Sequence, residues 1–352
     1  MPPCDEGGPP LKALIYVVPI FAILAAGDHW LTDDHYIGWE RNSVRNSLRR
    51  WENDTRAKVA IMGSSTSKDW LPGSYLERLM GLKRGELIDA HINGCHQGCT
   101  WAEIRRIRQR HRVKRCRWKG KDRCSPPKAK RFEAVFFGTN LFQMCENAHS
   151  KRTLQHTMLL PTVEAPLLFN LYASAKTPLL HMGRYVGMKM SGAYGDTRAL
   201  RDYWGQKWVG KPHRGKEHLW YRATKPKTEK DVLSCDYRPE NVALKLAYSA
   251  AMLDDLKELS AVTYLMLLPD RSRLLKDPEH QRRWAAHISA HKALVADRPW
   301  VKLVDLTDSA TSARDFRDGF HLTKGGFKKQ RKLFEARLRS LGALTTKEVA
   351  PR

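Results

Sequence analysis

Five short apolar runs rich in β-formers recur along the 352-residue chain, with helical patterns standing between them. The runs are Lys58–Met62 (KVAIM), Leu87–Ile92 (LIDAHI), Ala134–Phe137 (AVFF), Val262–Leu268 (VTYLMLL) and Val301–Leu306 (VKLVDL). Helical periodicity is clearest over Pro239–Leu259, Pro278–Ala296 and Thr323–Leu341. Strands alternating with helices predict an α/β domain whose central sheet is parallel and covered on both faces. Sheets of that kind bind ligands beyond the carboxyl ends of their strands. The residues just after each run are therefore where chemistry is to be sought.

Three stretches depart from the alternation. The first is an apolar segment, Ala13–Ala26, broken only by Pro19. It is shorter than the roughly 18–20 residues of a comfortable membrane span. It suits the core of a secretory signal, with Ala25-Ala26-Gly27 as a small-residue cleavage point, although Asp5 and Glu6 dilute the positive charge of Lys12. Residues 1–27 are thus predicted to be a signal peptide or a retained anchor. That reading exports the protein to a periplasmic or other extracytoplasmic space and gives it a membrane association. The alternative is a buried N-terminal helix. A polar helical lead-in is expected over 28–56, and the domain proper over 57–345.

The second stretch is basic, Arg105–Arg131, and regular structure should stop at Gly120 and Pro126-Pro127. The third, about 141–238, is an insertion rich in Trp, Tyr, Gly and Lys. It is expected to cap the end of the sheet that carries the chemistry.

Sixty-two Lys and Arg against 37 Asp and Glu leave a net charge of +25. Such a field favours acidic partners without choosing among polysaccharide, lipid headgroup and nucleic acid. The 105–131 segment lacks the regular aromatic interleaving of a nucleic-acid binder, so a solvated basic loop is the preferred reading and nucleic acid is disfavoured. A polyanion-binding protein with no catalysis remains an alternative. Seven cysteines are too few for a disulfide scaffold and leave at least one unpaired. Cys116 and Cys124 could close a small ring in an oxidising compartment. Cys95 and Cys99 lie four apart, and no set has convincing zinc spacing. No metal or cofactor is predicted.

The first run ends in Gly63-Ser64-Ser65-Thr66-Ser67. A serine on a tight turn from strand to helix can expose its hydroxyl, and the helix start offers N–H groups to developing negative charge. Serines there more often cap helices. The second run leads to Asn93 and Gly98, the latter lacking a side chain where a ligand oxygen could approach the backbone. The third ends in Gly138-Thr139-Asn140, whose amide can donate to an oxyanion without carrying charge. After the fifth run, Asp318-Gly319-Phe320-His321 pairs an imidazole base with a carboxylate able to orient it. Each signal alone has a bland explanation as cap, turn or surface loop.

Their order along one predicted sheet edge resembles the SGNH (GDSL-like) hydrolase family. Its Gly-Asp-Ser block is matched by Gly63-Ser64-Ser65, its Asn and Gly block by Asn93 and Gly98, its Gly-x-Asn block by Gly138-Thr139-Asn140, and its Asp-x-x-His block by Asp318 and His321. The likeness runs over about 57–340. Ser64 stands where the family most often has Asp, which points to the divergent branch containing exported polysaccharide-modifying members. Ser64 and Ser67 compete with Ser65 for the nucleophile, and spacing after Gly63 favours Ser65. The resemblance implies a flavodoxin-like three-layer sandwich with about five parallel strands. It also implies a Ser65–His321–Asp318 triad, with an oxyanion hole from the N–H groups of Ser65 and Gly98 and the Asn140 amide.

On this reading the protein is a serine esterase or O-acyltransferase acting on acyl, chiefly O-acetyl, groups of an extracytoplasmic carbohydrate. A membrane-bound acyl donor would be its partner if it transfers. The tryptophans of the insertion could stack on sugar rings, though packing explains them equally well. A lipid or small-ester hydrolase using the same residues is the alternative enzyme.

Overall fold

The computed structural model describes residues 56–91, 97–108 without positions 99 and 106, 131–144 and 237–344. The apolar segment 13–26, the lead-in, Asn93, the cysteine pair 116 and 124, and most of the basic segment and insertion lie outside these residues.

Among the described residues, five strands form one all-parallel sheet: β1 (Val59–Gly63), β2 (Leu87–His91), β3 (Phe132–Thr139), β4 (Ser260–Leu267) and β5 (Val301–Asp305), in the order β2-β1-β3-β4-β5. The order reverses between β1 and β3, the switch point of a flavodoxin-like sheet. The architecture is α/β, as the alternation predicts.

The period-two geometry of a strand divides the core. Ala60, Met62, Val135 and Phe137 face one buried cluster with the helical segment 97–108 and α3 (Pro239–Leu259), supplying Trp101, Ile104, Leu244 and Met252. Val59, Ile61, Ala134 and Phe136 face the other, with α1 (Ser65–Trp70), α2 (Gly73–Met80) and α5 (Lys324–Ser340), supplying Trp70, Leu76, Phe334 and Leu338. Every residue of β1 is buried, as a central strand with helices on both sides requires. α4 (Pro278–Ala296) packs on α3 and β5.

The helix boundaries follow local chemistry. Pro239 and Pro278 open α3 and α4, where a missing N–H costs nothing. Asp277 accepts the His280 N–H at 2.9 Å, and Thr323 accepts that of Gly326 at 3.0 Å, capping α4 and α5.

Arg105 and Arg108, expected to begin a solvated basic segment, are turned inward instead. Arg105 donates to Asp255 at 2.6 Å, and Arg108 reaches both Asp255 and Glu258, pinning the 97–108 helix to α3. Among the described residues, no helix is long and apolar enough to cross a membrane.

Candidate active site

β1 delivers Gly63 to the carboxyl edge at φ +132°, a backbone conformation open to glycine and strained for other residues. A Cβ there would also overlap the Ser67 side chain. The chain then turns into α1, and its three serines part ways. Ser64 is the N-cap, its Oγ accepting the Thr66 N–H at 3.3 Å. Ser67 is fully buried and donates to the Gly138 carbonyl at 3.0 Å, stitching α1 to the end of β3. Ser65, at the first position of the helix, is partly exposed. Ser64 and Ser67 are thereby committed to structure, and Ser65 is the serine left facing the edge of the sheet.

The Ser65 hydroxyl lies 3.0 Å from His321 Nε2, and His321 Nδ1 lies 2.7 Å from Asp318 Oδ2. The two residues after β5 share a small closed turn. Arg317 N–H donates to the His321 carbonyl at 2.9 Å, and Phe316 bridges Leu322 in antiparallel fashion. Asp318 Oδ1 accepts the N–H groups of Phe320 and His321 at 2.9 and 2.8 Å. Burial would raise the Asp318 pKa, but the His321 ring and these N–H donors outweigh it and hold the carboxyl below its ordinary range. Asp318 is therefore ionised at neutral pH, with one oxygen fixing the turn and the other fixing the imidazole.

Two contacts set the turn against the rest of the edge. Arg317 pairs with Asp69 at 2.8 Å, tying the turn to α1 near its end. Burial pushes the Asp69 carboxyl upward, while Arg317 and His321 oppose it. Arg271 N–H donates to the Gly319 carbonyl at 2.8 Å, tying the turn to the segment after β4.

Asn140 follows β3 and is fully buried. Its Oδ1 accepts the Gln143 N–H at 3.1 Å, whereas its Nδ2 is buried with no hydrogen-bond partner among the described residues. An unpaired buried donor costs about 1–3 kcal/mol, a cost that a ligand oxygen would remove. Gly98 belongs to the 97–108 helix, and a Cβ on it would stand 3.0 Å from the Tyr248 ring. Its missing side chain thus admits an aromatic neighbour from α3, a packing reason beside the expected approach of a ligand. Asn93 falls outside the described residues.

Several residues at this edge escaped the sequence reading. Gln97 donates to Thr139 Oγ1 at 2.9 Å, and Gln143 donates through its side chain to Ser64 Oγ at 2.7 Å. Lys245, wholly buried on α3, donates to the Gln143 carbonyl, and its burial drives its pKa well down. Asp270 accepts from Phe142 N–H at 3.0 Å and Ser272 N–H at 2.9 Å. Burial raises its pKa to about 6 against the pull of those donors. Of these, only Asp270 carried a signal, since it follows the fourth apolar run directly. Phe142 and Phe320 stack at 4.5 Å between centroids, with Phe320 4.6 Å from the His321 ring, forming an aromatic wall beside the imidazole.

No protein-family model matches the chain, and no curated protein matches it. One solved structure, described as "a putative platelet activating factor from Streptococcus pneumonia", is similar over 91% of this chain and 98% of its own, at 10% identity and a TM-score of 0.39.

Proposed function

We propose that the protein is a serine-dependent ester hydrolase or acyltransferase of the SGNH type. The observation that carries the reading is the hydrogen-bonded chain Ser65–His321–Asp318 at the carboxyl edge of β1 and β5. His321 takes the proton of Ser65 as its oxygen attacks an ester carbonyl, and Asp318 stabilises the imidazolium that forms. The oxyanion is received by the Asn140 Nδ2 group, with the N–H groups of Ser65 and Gly98 beside it. His321 then protonates the leaving alcohol. Water attacks the acyl-serine in a hydrolase, and a second hydroxyl does so in a transferase.

The substrate class we favour is a carbohydrate outside the cytoplasm, attacked as an acyl ester in a hydrolase or accepting the acyl group through a free hydroxyl in a transferase. It is supported by the apolar segment 13–26 and the tryptophans of the 141–238 insertion. The Phe142–Phe320 wall offers the flat apolar face on which a sugar ring packs.

The test is labelling of the full chain with a fluorophosphonate serine probe, beside Ser65→Ala and His321→Ala. Labelling that disappears in both variants, each still folded by circular dichroism, is the expected result. A folded wild-type protein that takes no label overturns the reading.

A further inference from the structure

Gln143 stands three residues past Asn140, in the 3-10 turn Leu141–Met144, and is only 3% exposed. It cannot touch a substrate. Its hydrogen bonds nevertheless run to Asn140 and to the neighbours of Ser65 and Gly98. Its main-chain N–H donates to Asn140 Oδ1 at 3.1 Å, which fixes how that amide is turned and leaves the buried Nδ2 as its unpaired donor among the described residues. Its side-chain Nε2 donates to Ser64 Oγ at 2.7 Å and reaches Thr66 Oγ1 at 3.4 Å. Its Oε1 accepts from Gln97 Nε2 at 3.4 Å. Ser64 is the neighbour of Ser65 and Gln97 is the neighbour of Gly98. One buried residue therefore contacts Asn140 through its main chain, and through its side chain the residue adjoining each of the other two donors.

Ser64 Oγ accepts both the Thr66 N–H and the Gln143 Nε2–H, which uses its two lone pairs. The Ser64 hydroxyl must then donate to Thr66 Oγ1, 2.6 Å away. The direction of every bond around the N-cap of α1 follows from the Gln143 donor. From the far side, Lys245 donates to the Gln143 carbonyl and fixes its backbone. A network satisfied at this many points is rigid, and a buried one is costly to leave half-satisfied.

We propose that Gln143 is a positioning residue that locks the nucleophile turn and the oxyanion amide into one rigid unit. The inference rests on the Ser65–His321–Asp318 reading given above. The experiment compares full-length wild type, Gln143→Met and Gln143→Glu. It measures the fluorophosphonate labelling rate, kcat and KM on p-nitrophenyl acetate, and the melting temperature.

Met fills the space without donating, so kcat and labelling fall about 10- to 100-fold while KM stays within roughly twofold, the pattern of misplaced reacting groups. Glu cannot donate to Ser64 while ionised, but it can when protonated. The Gln143→Glu rate relative to wild type therefore recovers as the pH is lowered, which a loss of packing alone would not produce. Folded variants that label at the wild-type rate overturn the positioning role and leave the triad standing. A wild type that does not label removes the triad and this inference with it. If Gln143→Met does not fold, Gln143→Glu decides, and a deficit insensitive to pH counts against the proposal.

Discussion

Replacing Asp318 with Asn tests the electrostatic core of the proposed mechanism while sparing its geometry. The Asp318 Oδ1 atom accepts two backbone N–H groups, and an Asn carbonyl can accept both. The amide nitrogen would then face His321 Nδ1, where the carboxylate oxygen now lies at 2.7 Å. Donor facing donor forces the tautomer that places the proton on Nε2, the atom that must receive the Ser65 proton. The charge lost is also large. The Asp318 and His321 side chains are 19% and 15% exposed, so solvent screens them little. With charge centres about 4 Å apart and an effective dielectric near 20, the carboxylate stabilises the imidazolium by about 4 kcal/mol. The charge-assisted hydrogen bond adds about 2 kcal/mol. Together they amount to about 6 kcal/mol of barrier, or on the order of 10⁴-fold in kcat. The assay is p-nitrophenyl acetate turnover at pH 7.5, with the melting temperature measured alongside. Turnover within tenfold of wild type, in a variant that melts normally, would refute this account of Asp318.

Asn140→Ala removes a donor that has no partner among the described residues and that the proposed mechanism assigns to the oxyanion, so kcat should drop by roughly 100- to 1000-fold with little change in KM. Undiminished kcat in steady-state kinetics would take Asn140 out of the oxyanion site. Burial lowers the pKa of His291 from 6.5 to about 4, and that of His287 well below its ordinary value. The unfolded chain therefore binds protons below about 6.5 that the folded chain refuses until about 4, and this contribution to stability falls as the pH drops through that window. Asp270, raised to about 6, works in the opposite sense from pH 6 down towards 4. His291→Leu should flatten the acid loss of stability in denaturant titrations between pH 7 and 4.5, and an unchanged slope would contradict the assignment.

The parts of the fold that the sequence revealed are those set by neighbours along the chain. The limits of α3 and α4 were legible because Pro239, Pro278 and the Asp277 cap act within one turn. β3 was underestimated at 134–137 because Phe132, Gly138 and Thr139 are strand only by pairing with β4, from Ser260 to Leu267. Gly138 was read only as part of the Gly-Thr-Asn block at the strand's end, yet its bareness admits the Ser67 and Leu268 side chains. Of the proposed catalytic residues, Ser65 was legible because it follows a strand end, and Asp318 and His321 because their spacing pairs a carboxylate with an imidazole. The support beneath them was hidden. Lys245 sits one position off the apolar stripe of Leu244 and Tyr248, so nothing in the pattern marks it as buried, and its partner Gln143 lies 102 positions earlier. Arg105 and Arg108 were misjudged for the same reason, since Asp255 and Glu258 that neutralise them are about 150 positions away.

The closed turn that carries Asp318 and His321 hands the imidazole and its carboxylate over as a single preassembled cassette. Only one gap, the one to Ser65, depends on how distant parts of the chain meet. That meeting waits for α5, which Tyr75 of α2 grips through Glu335 at 2.8 Å and through the Phe327 ring at 5.3 Å. During synthesis the serine emerges some 250 residues ahead of its base. On the proposed mechanism, a nascent chain would thus carry the Ser65 hydroxyl without its imidazole partner until the segment leading into α5 has been made and packed against α1 and α2.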